Sequence, residues 1–352
     1  MLLKDYTIAV DMMGGDYGPE VTIPAALFTL QQYEKLSLIL VGDETLLTQS
    51  LQGLSDTLKL RCHIHHAAQQ VEMDESPMLA LRNKKDSSMR IAIDLVKQGR
   101  AEACVSAGNT GALMAMARFV LKTLPGIDRP AISAVLPTIK PGHMVRLLDL
   151  GANVDVRTEH LFQFAVMGAI LAHEVDEIPK PKLALLNIGS EAGKGNAQVK
   201  KAAELLSTQA EMLNYQGYIE GNTLFHGEVD VVICDGFVGN VALKVAEGAA
   251  RLVGVALKQA FHQHWFSRLA GLLAWPVLKQ TYRRLDPSHY NGASLVGLQG
   301  IVIKSHGSAD TQAFTQALHQ AVIEIERTVP QRIREQVANL LLQKPLTYTT
   351  DE

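Results

Sequence analysis

The feature that most constrains this chain is a repeated local order: a short apolar run, a turn rich in Gly, Asn or Asp, then a helical pattern. YTIAVD ends at MMGGDYGPE, and a helical run begins near Val21. LSLILVG ends at Asp43 before ETLLTQSL, and ACVSA ends at GNTG before ALMAMARFVLKTL. VRLLDLGAN precedes TEHLFQFAVMGAILAHEV, and LALLN leads through GSEAGKGN into AQVKKAAELL. VDVVICD leads through GFVGN into VALKVAEGAARLVGVAL, and GIVIKSHG leads through SAD into TQAFTQALHQAVIEIER. The apolar runs scarcely alternate, as strands do when helices cover both faces. This order predicts an α/β fold on a largely parallel sheet.

No Pro/Gly-rich linker divides the chain. We expect one large α/β unit over residues 1–343, or two halves on a continuous core, and a polar tail at 344–352. In open α/β sheets, ligands bind outside the carboxyl ends of the strands. If the strands are parallel, the turns meet along one edge. Asp11, Gly14, Gly15, Asp16, Ser106, Asn109, Asp149, Asn153, Lys194, Asn196, Asp235, Asn240, Lys304 and His306 then share a neighbourhood. Such convergence favours a small-molecule site over plain turn chemistry.

NIGSEAGKGN, residues 187–196, resembles a P-loop at first sight. Its spacing rejects one: three residues, not four, separate Gly189 from Gly193, and Gly195 follows Lys194 where a hydroxyl belongs. The physics of an anion site survives, because glycines let backbone N–H groups converge at a helix N-terminus. The plainer reading is an ordinary strand-to-helix connection.

Other absences narrow the chemistry. There is no GxGxxG, no GxSxG nucleophile elbow and no HExxH helix. His63, His65 and His66 cluster in RCHIHH without matching ligands elsewhere, so exposed strand histidines are the plainer account. Cys62, Cys104 and Cys234 lie far apart and read as reduced thiols of a cytosolic protein. With 33 basic and 36 acidic residues, nothing points to nucleic acid. MLLKDYTIAVD lacks the basic and apolar regions of a signal peptide. No uncharged apolar stretch reaches the roughly 18 residues a spanning helix needs. A site of anion-friendly turns without a protein nucleophile suits a reaction in which the bound anion itself attacks.

Six blocks now stand in order from residue 8 to 310: AVDMMGGDYGP, SAGNTGAL, LLDLGAN, NIGSEAGKGN, CDGFVGNVALK and GASLVGLQGIVIKSHGSAD. Together they resemble the bacterial phosphate acyltransferase family, the acyl-ACP:phosphate enzymes of phospholipid synthesis. The resemblance implies a three-layer α/β/α sandwich, related to phosphotransacetylases and isocitrate-type dehydrogenases, with a protruding helical segment. It implies that inorganic phosphate attacks the thioester of a long-chain acyl carrier protein, giving acyl phosphate. A membrane acyltransferase then uses that product on glycerol 3-phosphate. It further implies a homodimer, peripheral to the inner face of the cell membrane, without metal or nucleotide cofactor.

The family's proposed catalytic lysine and asparagine carry over to Lys194 and Asn240. Asn240 also suits a helix N-cap. Asp11, Gly14, Gly15, Ser106, Asn109, Thr110, Asn153, Asn196, Lys304 and His306 are the expected phosphate or substrate contacts. Carboxylates repel phosphate, so structural roles are expected for most of Asp11, Asp16, Asp149 and Asp235. Phosphate dianion is already a nucleophile, so no base is demanded of His306.

Residues 265–279, WFSRLAGLLAWPVLK, are too short to span a bilayer. Tryptophans and basic flanks, including Lys279, Arg283 and Arg284, suit an interfacial segment, with Trp265, Leu272, Leu273 and Trp275 in contact with lipid. A dimer interface, over about 245–290, or plain core would look as apolar. Pro276 is expected to end or kink the helix. LRNKKDSSMR, residues 81–90, or Lys200 with Lys201 would receive an acidic carrier protein. The rival readings are a phosphotransacetylase acting on acyl-CoA, a decarboxylating dehydrogenase of related fold, and a non-catalytic scaffold for membrane lipid enzymes.

Overall fold

The computed structural model describes residues 5–285 and 290–343. The expected tail at 344–352 lies outside them, as do the side chains of Arg283 and Arg284. Eleven strands form one sheet: β1 Tyr6–Asp11, β2 Leu36–Gly42, β3 Cys62–His66, β4 Ala103–Ser106, β5 Ala131–Pro137, β6 Met144–Leu148, β7 Leu183–Asn187, β8 Tyr215–Glu220, β9 Val231–Ile233, β10 Ala293–Val296 and β11 Ile301–Lys304. The helices are α1 Pro19–Gln32, α2 Glu44–Ser50, α3 Asp56–Lys59, α4 Pro77–Asn83, α5 Ser88–Lys97, α6 Thr110–Leu121, α7 Thr158–Glu174, α8 Ala197–Ser207, α9 Ala210–Leu213, α10 Gly236–His262, α11 Trp265–Leu285, α12 Thr311–Glu326 and α13 Val329–Gln343.

The strand order is β3-β2-β1-β4-β11-β10-β5-β6-β9-β7-β8. Each apolar run sends alternate residues to opposite faces. Ala9 and Cys104 join one cluster that continues through Leu147 and Val232, with α5 and α6 above its first half. Ile8 and Val10 join α1 and α12 on the other face, where Phe314 is wholly buried. Leu183, Leu185 and Val231 pack that face of the second half against α7, α8 and α13. Helices therefore cover both faces, giving the three layers. A fully buried side chain of Phe or Leu size contributes roughly 1.5–3 kcal/mol.

The sheet is largely parallel, as the sequence predicts, but the strands do not all run one way. β3, β2, β1, β4 and β11 are mutually parallel, and so are β6, β9, β7 and β8. Between these blocks, β10 is antiparallel to both β11 and β5, and β5 to β6. Three reversals set the two parallel blocks in opposite directions. The Gly-rich turns therefore leave two ends of the sheet, not one. Twist of about 20–25° per strand accumulates to roughly a quarter turn over the four steps from β11 to β9.

Helix α10 departs from the body. Its buried residues are Gly236 and Gly239, both in its first turn. Helix α11 packs back along it, with Gly271 against the Phe261 ring. Pro276 lies inside α11, so the helix does not end there. A proline removes a single N–H donor, and an exposed helix tolerates that loss better than a core one. Trp265, Leu272, Leu273 and Trp275 are 67, 73, 75 and 61 % exposed. No helix among the described residues is long and apolar enough to cross a membrane.

Candidate active site

The turns after β1, β4 and β11 are tied to one another. Ser106 Oγ donates to Asp11 Oδ2 at 2.6 Å and accepts from Gly108 N at 3.1 Å. Ser305 N donates to Ser106 O, and Asp16 N to Gly307 O. Asn291 Nδ2 donates to Ser305 Oγ while its Oδ1 accepts from His306 N. A Cβ on Gly14 would lie 2.6 Å from Asp11 Oδ2 and 2.8 Å from Gly108 N, so only glycine lets these loops close.

Lys304 is buried in this cluster. Its ammonium donates to Ala107 O at 3.2 Å and to Ser305 O. Burial pushes its pKa down to about 8, against the pull of Asp11 and Asp16. Burial likewise raises the Asp11 pKa, while hydroxyls of Ser106 and Ser88 and the Met13 and Gly14 amides pull it down. The Lys304 ammonium and the Asp11 carboxyl thus stand buried behind the loops.

The second cluster follows β6 and β9. Asp149 is fully buried and accepts from Ile132 N, Gly151 N, Ala152 N, Asn153 N and Asn153 Nδ2 at 2.7–3.2 Å. Asn153 Nδ2 also donates to Pro130 O. The first turn of α10 lies on this knot. A Cβ on Gly239 would fall 1.9 Å from Asp149 O, and one on Gly236 would fall 2.7 Å from Asn153 O. The two glycines of GFVGN are therefore there for close approach.

Asp235 caps α10, accepting from Val238 N at 2.7 Å. Asn240 is not the cap; it sits in the second turn, exposed. Next to β9 in the sheet, β7 runs into the 187–196 turn, which Asn187 closes by donating to Lys194 O at 3.2 Å. Gly195 has φ +94°, a conformation glycine permits. Asn196 caps α8, accepting from Val199 N. Lys194 is exposed. Among the described residues, neither the Lys194 ammonium nor the Asn240 amide has a hydrogen-bond partner or ion pair.

The two clusters meet through α10. Lys244 lies one turn beyond Asn240, on the same helix face. Its charge acts on both Lys304 and His306, and Glu247, paired with it at 2.8 Å, also acts on His306. The face of α10 that carries Asn240 therefore looks toward the loop after β11. Burial, then Lys244, pushes the His306 pKa below its usual value. Ser308 N donates to His306 Nδ1 at 3.2 Å, which leaves the proton of the neutral ring on Nε2. His306 thus presents a donor.

Several residues expected to touch phosphate are engaged elsewhere. Asn109 caps α6, accepting from Ala112 N, and its Nδ2 donates to Met73 O and Glu75 O at 2.9 Å. Asn153 holds Asp149, and Ser106 holds Asp11. Thr110, at the start of α6, is exposed. The RCHIHH histidines lie on edge strand β3, and no group of His, Cys, Asp or Glu among the described residues is placed to hold a metal ion.

A family profile described as "Fatty acid synthesis protein" matches residues 6–332. A phosphate acyltransferase from Legionella pneumophila (strain Paris) is 54% identical over 97% of this chain and 99% of its own. One from Nitrosococcus oceani is 58% identical over 93% of this chain and 95% of its own. This chain belongs to the phosphate acyltransferase family. It is an acyltransferase. The crystal structure of a phosphotransacetylase from Streptococcus pyogenes shares the fold, with a TM-score of 0.62 over 94% of each chain at 19% identity.

Within this phosphate acyltransferase fold, reasoning from the sequence passed over Lys244 and Asn291. Lys244 had a signal: it stands four residues after Asn240 in a helical pattern. Asn291 had none, because its partners, Ser305 and Ala313 among them, are fixed only by the hairpin of β10 and β11.

Proposed function

We propose that this enzyme transfers a long-chain acyl group from the thioester of an acyl carrier protein to inorganic phosphate. An oxygen of hydrogen phosphate attacks the thioester carbonyl carbon, forming a C–O bond and a tetrahedral oxyanion. Collapse restores the carbonyl and breaks the C–S bond. The proton of hydrogen phosphate ends on the released thiol, so acyl phosphate and free carrier leave in balance.

The observation that carries this reading is the pair of unpartnered donors at the ends of neighbouring strands. Lys194 follows β7 and Asn240 follows β9, and both are exposed. A donor without a protein partner is available to an anion. In our reading, Lys194 supplies charge to phosphate or the oxyanion, Asn240 donates to the oxyanion or orients phosphate, and His306 Nε2 adds a donor across the cleft. Gly14, Gly15, Thr110 and Asn196 line the loops around the anion. Ser106, Asn109, Asn153, Asp11 and Lys304 set the shape and field of those loops. The exposed apolar face of α11 supports contact with the membrane surface, where acyl phosphate would meet a glycerol-3-phosphate acyltransferase.

The test is direct. Pure protein is given phosphate with palmitoyl carrier protein, palmitoyl-CoA or acetyl-CoA, and acyl phosphate is trapped with hydroxylamine. Lys194→Ala and Asn240→Ala should each lower kcat about 100- to 1,000-fold, the usual cost of an oxyanion donor. Folded variants of both with near-normal turnover would refute the assignment. Preference for acetyl-CoA would favour the phosphotransacetylase reading that the shared fold raises.

A further inference from the structure

Helices α4 and α6 leave an open groove of about 430 Å³ between them. Met78, Leu81, Ala115, Phe119 and the two cations Arg118 and Lys122 line most of it. Two of its apolar residues are out in solvent, Met78 66 % and Phe119 54 % exposed, while Leu81 and Ala115 are half-buried. Cations ring the aromatic centre: Lys122 Nζ stands 4.9 Å, and the Arg90 guanidinium 5.6 Å, from the Phe119 ring. Arg90 is held by Asp94, and the Asp128 carboxylate at the groove's end accepts from Gln163. Arg118, Lys122 and, next to Leu81, Arg82 have no ion pair among the described residues. An exposed aromatic with the unpaired cations Arg118 and Lys122 lining the same groove is the composition of an interface centre facing an acidic partner.

The groove is also joined to the site. Asn109 fastens the loop before α4 to the start of α6, and Gly111 admits Pro77 of α4 against it. Phe119 stands nine residues along α6 from Thr110, about 13 Å at 1.5 Å per residue. A carrier seated on Phe119 would need an arm of about that length to present its thioester at the anion loops.

We propose that this groove docks the acidic carrier that delivers the acyl thioester, with Phe119 as its apolar anchor and Arg82, Arg118 and Lys122 as its charge contacts. The proposal rests on the carrier-protein reading of the donor. It selects the α4–α6 face over the other basic candidate, Lys200 and Lys201 on α8.

The test compares Arg118→Glu/Lys122→Glu with Lys200→Glu/Lys201→Glu, using palmitoyl carrier protein and phosphate. The first pair should raise the KM for the carrier at least about ten-fold, since facing like charges are strongly disfavoured. Its kcat at saturating carrier and its KM for phosphate should stay at wild-type values. Added salt should raise the wild-type KM and have less effect on the variant. The α8 pair should leave the carrier KM unchanged. An unchanged carrier KM in the first pair, or a rise confined to the α8 pair, overturns the groove alone. Loss of a dimer on sedimentation of the first pair would make the face a self-interface and also overturn it. A wild-type enzyme that ignores the carrier and uses palmitoyl-CoA would overturn the donor reading, and the groove with it.

Discussion

At the scale of single residues, the question is which polar groups are free. Ser, Asn and Lys types after strand ends were legible, but their partners were not. Ser106 answers to Asp11, 95 positions away, and Asn109 to backbone oxygens some 35 positions away. Sequence spacing carries no signal for such pairings. Gly239 gives one prediction. Its missing Cβ makes room for Asp149 O, so Gly239→Ala must push back the start of α10. Overpacking of this kind costs about 1–3 kcal/mol, and Asn240 sits on the displaced turn. Urea unfolding should show the loss, and kcat should fall while KM for phosphate changes little. Lys304 gives a second. Its folded pKa, about 8, lies below its ordinary 10.5, so the folded state releases this proton first. Between those values the unfolded chain binds more protons, and stability rises with pH. The rise is at most about 3 kcal/mol, is absent below about pH 8 and is complete above about pH 10.5. Chemical denaturation across pH 7.5–10.5 should show a smaller rise in Lys304→Met than in wild type; equal slopes would contradict the assignment.

At the scale of elements, the strand–turn–helix units were legible because each is local: an apolar run, a turn and a helix within some 30 residues. The antiparallel strands β5 and β10 were not. Each leads into its partner strand through a short loop, 138–143 or 297–300, without a helix to mark the crossing. β10 is only four residues long. Helix α11 was legible as an apolar, tryptophan-flanked segment, but its passage through Pro276 was not. Its exposed face supports a third prediction. Leu272 and Leu273 both point out of the body, so lipid contact would bury both. Each buried leucine contributes roughly 1.5 kcal/mol or more, so Leu272→Glu/Leu273→Glu should weaken partition onto anionic vesicles on the order of 100-fold or more. Flotation measures it. Turnover of a carrier-bound substrate in solution should persist, because α11 carries none of the anion loops. Unchanged flotation would assign this face to a second copy of the chain.

At the scale of the whole molecule, the sheet reverses direction midway, and this was the part least visible in the sequence. Parallel blocks read alike whichever way they point; only the hydrogen bonds of β10, β5 and β6 decide it. The consequence is mechanical. On the proposed reading, loops at the ends of the two opposed blocks serve one site across α10, and neither half is complete alone. Gly14, Gly15, Thr110 and His306 come from one, and Lys194, Asn196 and Asn240 from the other. A ligand bridging both halves links their local openings. Phosphate at about 100 times its Kd should stabilise the fold by about 2.7 kcal/mol. Hydrogen exchange then locates the effect. Slowed exchange should appear together at 11–15, 108–112, 189–196, 236–240 and 304–308, and Asn240→Ala should weaken all five. Protection of the first, second and fifth segments alone would mean that phosphate binds one half, and that the second block only forms the wall for the acyl donor.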